Sequence, residues 1–183
     1  DNRHKWWRKM TLSQGVAEPE GADAGMAVPL SKQRLRVWLR LLDRNREILG
    51  RLRGSLRAEF DTTLPRFDIL AQLERHEGPM SMGELSKRLM VSNGNVTGLV
   101  DRLANEGLVD RRPAPEDRRV QMVSLTAKGG DSFSEMAENH RVWVRDMMAD
   151  LSVDEINILY DLLARLKQSI LSAEQKITLE ATV

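Results

Sequence analysis

Two groups of residues have types and spacing that suit contact with another molecule. In the stretch Ser92 to Leu103, SNGNVTGLVDRL, Gly94, Gly98 and Arg102 recur every fourth residue, flanked by Asn95, Thr97 and Asp101. On a helix that spacing is one face. It is a poor face for stability, because Gly costs about 1 kcal/mol against Ala and Asn and Thr are also weak helix formers. A helix needing only to stay folded would carry Glu, Lys and Ala there. Small residues and short polar side chains let a neighbour approach closely. Asn suits an adenine edge and Thr a phosphate or a thymine methyl, so a DNA major groove fits; close packing on another protein element fits equally well. The second group is Pro113-Ala114-Pro115-Glu116-Asp117-Arg118-Arg119, a bend with two arginines at its tip. A narrow minor groove attracts arginine. Asp117 is placed to hold one of the two, and the plain alternative is a solvated turn. A basic loop beside such a helix tips the balance towards DNA.

Bond-making chemistry has no comparable support. There is no nucleophile–base pair, metal-ligand spacing or phosphate loop, and His4, His76 and His140 stand apart in sequence. No catalytic residue, metal or cofactor is expected, and an enzyme is not expected.

The elements that must position these groups run from Ser81 to Leu125. Ser81 with Glu84 three residues on is a capping box opening a helix, on which Leu85 and Leu89 share a face. Val91-Ser92 interrupts the pattern, and Ser92 is a suitable cap for the next helix. There Val96, Leu99, Val100 and Leu103 keep helical spacing and face a core, and Gly107 ends it. Leu108–Arg112 and Val120–Leu125 read as a two-stranded hairpin around the bend.

These motifs, LPRFDILAQL, MSMGELSKRL, VTGLVDRLANEGLVDR and PEDRRVQMVSLTAKG, resemble the winged helix-turn-helix of MarR-type regulators. The most specific part is Asp117-Arg118-Arg119 followed by Leu125-Thr126-Ala127-Lys128-Gly129. The resemblance runs in detail from Leu64 to Gly129 and in helix layout from Ser31 to Lys176. It implies a mainly α winged helix-turn-helix with long N- and C-terminal dimerisation helices. It also implies a transcriptional regulator, a repressor released by a small ligand, which as a homodimer binds a pseudo-palindromic double-stranded DNA operator. The residues expected at the DNA are Ser81, Ser92, Asn93, Gly94, Asn95, Thr97, Gly98, Arg102, Arg118 and Arg119. Where some relatives carry a long or basic side chain in mid-helix this chain has Gly98, so direct readout rests on Asn95, Thr97 and backbone approach. The pattern is also similar to regulators of aromatic-acid catabolism, some of which answer to coenzyme A thioesters. A winged helix used for protein contact, without specific DNA binding, is the alternative.

The flanking segments fit that layout. Residues 1–30 read as a disordered tail: Gln14 to Gly25 is rich in Gly, Ala, Glu and Pro, without periodicity. Trp6-Trp7 beside Lys and Arg is a sticky end of that tail, and Met10 is a candidate natural start. The domain expected is 31–178, with 62–128 as the winged helix and 31–60 and 129–178 as dimerisation helices. Ser31 is expected to cap a helix reaching Phe60, with Leu35, Trp38, Leu42, Leu49, Leu52 and Leu56 in the alternating spacing of a helix–helix seam. Thr63 and Pro65 start another helix, whose Phe67, Leu70 and Leu73 face inward. Thr126 caps a long helix bearing Phe133, Met136, His140 and Val144. Ser152 with Glu155 opens the last, where Ile156, Leu159, Leu163, Leu166, Ile170 and Ile177 repeat the seam.

Charge is local. The 183 residues carry a formal net charge of only +1, so affinity for nucleic acid must come from patches. From Lys32 to Arg57 nine Lys/Arg stand against two Asp/Glu, and from Asp131 to Asp161 eight acidic residues against two basic. Side-by-side packing that neutralises both is the plain expectation. An anionic effector beside the basic helix is the other, an aromatic acid or its acyl-coenzyme A thioester, with Trp38, Arg40, Phe60, Arg66, Phe67, His140 and Trp143 as candidate ligand residues. Absence of cysteine excludes disulfides and thiol switches. With no membrane-length apolar run and no signal sequence, a cytoplasmic protein is expected.

Overall fold

A computed structural model describes residues 29–180, with side chains as far as residue 175. The tail 1–28, with Trp6, Trp7 and Met10, and the side chains of Lys176 and Ile177 lie outside the described residues. Two compact units meet between Asp43 and Arg44, inside the first helix, α1 (Leu30–Phe60). That helix starts one residue early, with the Gln33 N–H donating to the Pro29 carbonyl at 3.1 Å, so Ser31 lies within the first turn and is not the cap. Up to Asp43, α1 exposes Leu35, Val37, Trp38, Leu39 and Leu41.

From Arg44 onward the chain builds its core. Leu52 and Leu56 of α1 are buried, and Leu49 and Phe60 pack at the edge. Asp61, left-handed at φ 44°, turns the chain into α2 (Leu64–Glu74). Pro65 occupies the first turn of α2, where its missing N–H costs nothing. Thr63 stands at the cap position without a side-chain bond; its carbonyl instead accepts from the Arg66 and Phe67 N–H groups. Leu64, Phe67, Ile69, Leu70 and Leu73 are buried.

A short strand that the periodicity does not reveal, β1 (Met80–Ser81), leads into α3 (Met82–Leu89). The helix α4 (Asn93–Asn105) follows, then β2 (Val109–Pro113) and β3 (Gln121–Leu125). The sheet therefore has three antiparallel strands in the order β1-β3-β2, not the two of the expected hairpin. Val109 faces Leu125 and Arg111 faces Val123, while Met80 faces Val123 from the other side. Two residues are too few to show alternation, so β1 was invisible until its partner was placed. The wing is thereby joined to the helix-turn-helix at both edges.

Two long helices end the chain. α5 (Ala127–Met147) sends Met136 into the core. α6 (Val153–Glu180) opens with the full reciprocal box. The Glu155 N–H donates to Ser152 Oγ at 3.3 Å, and the Ser152 N–H donates to the Glu155 carboxylate at 2.8 Å. The Ser152 hydroxyl also donates to the Glu155 carboxylate at 2.7 Å, and this bond, with that of the Ser152 N–H, holds the Glu155 carboxyl below its usual range. Beyond the box α6 is bare: Leu159, Leu163, Leu166 and Ile170 are 39–51% exposed. The ion pairs on the charged segments are local, Arg44 with Glu47 at 3.1 Å, Arg141 with Glu138 and Arg145 with Asp146 at 2.8 Å. Among the described residues no helix is long and apolar enough to cross a membrane.

Candidate nucleic-acid interface

α4 is anchored by one face. Val96, Val100 and Leu103 are fully buried, each worth about 1.5–3 kcal/mol of apolar burial. The face they leave outward carries Asn95, Gly98 and Arg102, all exposed. A Cβ added at Gly94 or Gly98 would meet nothing within 4 Å. These glycines therefore leave the helix backbone open to an incoming surface and relieve no internal crowding. They line a concavity of about 480 Å³ with Asp68, Leu89, Asn95 and Arg102. Arg102 makes no ion pair among the described residues.

The two caps differ from expectation. Ser81 does accept from the Glu84 N–H, at 3.2 Å. Glu84, however, does not return the bond: its carboxylate takes Arg88 at 2.7 Å, with His76 at 3.8 Å. An arginine one turn ahead outcompetes the neutral backbone donor, because a charged pair makes the stronger bond. Ser81 is thus part of α3's start, its oxygen accepting the cap bond. Ser92 has extended backbone at the N-cap of α4 but makes no side-chain cap bond. Thr97 donates its hydroxyl to the Asn93 carbonyl at 2.9 Å. It must break that bond before it can donate to a phosphate.

The wing tip is shaped by Asp117, but not through an arginine side chain. Its carboxylate accepts from the Arg119 backbone N–H at 2.9 Å, while the Val120 N–H returns to the Asp117 carbonyl at 2.9 Å. An aspartate two residues ahead of an amide closes this turn readily. The guanidinium groups of Arg118 and Arg119 make no ion pair among the described residues. Behind the tip, Arg111 donates to Asp101 at 2.5 Å, tying β2 to α4.

The C-terminal end of α4 is held more firmly than its start. Gly107, at φ 72°, ends it with the Leu108 N–H on the Leu103 carbonyl and the Gly107 N–H on the Ala104 carbonyl, both 2.9 Å. Arg66 of α2 pairs with Glu106. From the start of α5, Lys128 Nζ donates to the Glu106 carbonyl at 2.8 Å and Thr126 Oγ1 to the Gly107 carbonyl at 2.7 Å. The contacts of Arg66, Lys128 and Thr126 with this turn carry no signal in spacing, although Thr126, Lys128 and Gly129 sit in the motif that carries the resemblance.

Of the candidate ligand residues, the structure brings five near the core. Phe67 stacks on His140 at 5.0 Å and Phe60 meets Trp143 edge-on at 6.2 Å. Phe67 is buried, and Arg66 already has Glu106. Trp38 and Arg40 belong to the unit ending at Asp43. Asp68, which sequence spacing did not single out, is half-buried beside this cluster. Burial pushes its carboxyl up, against the opposing pull of His140, and burial pushes the His140 imidazole down, against the pull of Asp68.

Comparison with known proteins bears on this geometry. Residues 60–120 match the MarR family model. The chain is 30% identical over 109 residues to the uncharacterized HTH-type transcriptional regulator YdgJ of Bacillus subtilis, covering 60% of this chain and 66% of that protein. It thus spans just under two thirds of that relative's length. It shares 30% identity and a TM-score of 0.66 with a MarR family transcriptional regulator from Silicibacter pomeroyi, over 79% of this chain and 99% of the other. A mutant MarR from E. coli complexed with operator DNA is 25% identical with a TM-score of 0.65, over 76% and 99%. With its three-stranded wing, buried helix-turn-helix core and long end helices, the chain belongs to the MarR family of winged-helix transcriptional regulators.

Proposed function

We propose that this chain is a sequence-specific DNA-binding repressor that reads a pseudo-palindromic operator as a homodimer. The observation that carries this is the outer face of α4, open at Gly94 and Gly98, together with two wing-tip arginines that no internal carboxylate neutralises. Asn95 reads a base edge in the major groove, Ser92, Asn93 and Thr97 hold phosphates, and Arg118 or Arg119 enters the minor groove. Ser81 and Arg102 border the same contact. The uncovered apolar residues of α6, with those of α1, supply the dimer seam, so that 31–60 and 129–178 are the dimerisation helices around the 62–128 head. The effector is an anionic aromatic acid or its coenzyme A thioester, as in control of aromatic-compound catabolism. The Phe60–Trp143 and Phe67–His140 pairs supply the apolar wall such a ligand needs. A ligand that binds only a dimer with misplaced reading helices drains the DNA-competent state.

Selection of binding sites from random duplex DNA tests the proposal, followed by anisotropy on the selected site with and without benzoate, hydroxycinnamates and their thioesters. A single enriched two-fold motif is expected. Asn95→Ala should weaken it by about 1–3 kcal/mol at one position per half-site. No enriched motif, or Asn95→Ala and Arg119→Ala both binding like the parent, would mean a protein-contact module instead. Thioesters and acids that leave operator affinity unchanged would remove the effector assignment alone.

A further inference from the structure

The motif Leu125-Thr126-Ala127-Lys128-Gly129 lies at neither the wing tip nor the outer face of α4. What it touches is the last turn of the reading helix. A helix leaves its final carbonyls without intrahelical partners. In α4 the glycine turn satisfies those of Leu103 and Ala104. Just past its end, the carbonyls of the cap residue Glu106 and of Gly107 are taken from outside, by Lys128 Nζ at 2.8 Å and Thr126 Oγ1 at 2.7 Å. The same Thr126 oxygen accepts from the Gly129 N–H at 3.0 Å and so caps α5. One hydroxyl is therefore both the first bond of the long helix and a bond to the end of the reading helix. Gly129 closes the contact: a Cβ there would lie 1.9 Å from the Leu108 carbonyl oxygen. At the other end of α4, Ser92 makes no side-chain cap bond.

We propose that Thr126, with Lys128 and Gly129, is a positioning device that fixes the pitch of α4 against α5, and through it the separation of the two reading helices in the dimer. The dimer consequence rests on the DNA-binding reading above; the pitch itself does not. With the hydroxyl bond in place, any tilt of α5 is carried into α4 at its C-terminal end. Asp101 and Arg111 then carry β2 with it, so helix and wing move as one body. Without the bond, each head still folds around Val96, Val100 and Leu103, but its angle to the long helix loosens.

The test has two arms. In the first, Asn95→Cys and Glu135→Cys are spin-labelled on one chain, which has no other cysteine. Labelled chains are diluted with unlabelled ones, and the intramolecular distance distribution is measured without DNA. Thr126→Val should broaden or shift it. Thr126→Ser, which keeps the hydroxyl, should restore the parent distribution, and the milder Lys128→Met should broaden it partially. In the second arm, chains without labels bind the selected operator, versions with one base pair added or removed between half-sites, and an isolated half-site. Thr126→Val should lose at least about fivefold on the parent spacing, the scale of one net hydrogen bond. It should keep half-site affinity and discriminate less between spacings. A parent distance distribution in both Thr126→Val and Lys128→Met overturns the proposal. So does an equal loss on half-site and full site, which would make the hydroxyl a folding contact only. If the parent itself selects no operator, the DNA reading fails while the distance arm still decides the clamp.

Discussion

Gly107 and Gly129 sit at the two sides of one contact, and their replacement by alanine should fail for different reasons. Gly107 stands at φ 72° with open space where a Cβ would go. Its cost is backbone conformation alone, about 1–2 kcal/mol for an L-residue held left-handed. At Gly129 the space itself is missing: the Cβ would lie 1.9 Å from the Leu108 oxygen and 2.9 Å from its carbon. The obstacle is backbone, which cannot rotate away as a side-chain tip would. Pushing it aside costs about 1–3 kcal/mol as overpacking. The same oxygen accepts from the Thr126 N–H at 3.2 Å, and losing that bond adds about 0.5–1.5 kcal/mol. Alanine's better helix propensity returns up to about 1 kcal/mol. The net for Gly129→Ala is roughly 2 kcal/mol, or about 4–8 °C in Tm for a chain of this size. Asparagine separates the two causes, since it tolerates left-handed backbone. Gly107→Asn should recover most of the loss and Gly129→Asn none. Thermal melts at one fixed protein concentration, with urea midpoints beside them, read both. A Gly129→Ala midpoint within about 2 °C of the parent would refute the crowding argument, and equal rescue by asparagine at both sites would refute the distinction.

Three further outcomes are expected. On the proposed minor-groove contact, Arg118→Ala or Arg119→Ala should cost about 1–3 kcal/mol in operator affinity, and loss of a phosphate contact should flatten the log–log salt dependence by about one; anisotropy at several salt concentrations checks it, and unchanged slope and affinity in both variants would count against wing contact. Asp68 has its carboxyl raised above 3.8, so its share of stability is full below that pH and is lost as pH rises through the folded value. His140 has its imidazole lowered below 6.5, so its share is present above that pH and is lost as pH falls through the folded value. Asp68→Asn should therefore gain on the parent as pH rises from acid to neutral, and His140→Asn should flatten the parent's loss below pH 6.5; parallel stability curves for parent and variants would contradict the burial argument. A chain ending at Asp150 lacks the bare apolar face of α6 and should scatter light as a monomer or an aggregate, whereas a soluble dimer of unchanged stability would show that α6 is not the seam.

The helices were legible because their signals are periodic or local. Val96, Val100 and Leu103 announce a buried face at helical spacing, and all three are buried. Gly107 announces a helix end, and Ser152 with Glu155 forms the reciprocal box that its spacing foretells. What spacing alone does not decide is competition between partners equally near in sequence. Ser81 with Glu84 has the same spacing as Ser152 with Glu155, yet Arg88 claims the Glu84 carboxylate. Asp117 next to two arginines suggested an ion pair, yet the nearer amide of Arg119 won it. β1 could not be read because its two residues acquire meaning only from Val123 and Met122 opposite. Nothing in the identities of its sequence neighbours reveals the burial that raises the Asp68 carboxyl.

The candidate site was legible in a different sense, through what its residues do not do. A surface helix in a stable fold ordinarily spends its outward positions on good helix formers and its charges on pairs. α4 spends them on glycines with nothing opposite and on an arginine with no ion pair among the described residues. At the wing tip Asp117 satisfies backbone and leaves both guanidinium groups unneutralised. With a net charge of only +1 over the whole chain, long-range attraction to a polyanion is weak, and binding must come from such uncommitted groups within about a Debye length, roughly 8–10 Å, of the phosphates. That makes their geometry decisive. The end of α4 sets where Arg102, Arg118 and Arg119 stand together, through Asp101–Arg111 on one side and Thr126 on the other. In the proposed dimer, a pair of heads held at the wrong angle would present the same arginines out of register with the groove. Most of the electrostatic gain would then be lost without any contact residue having changed.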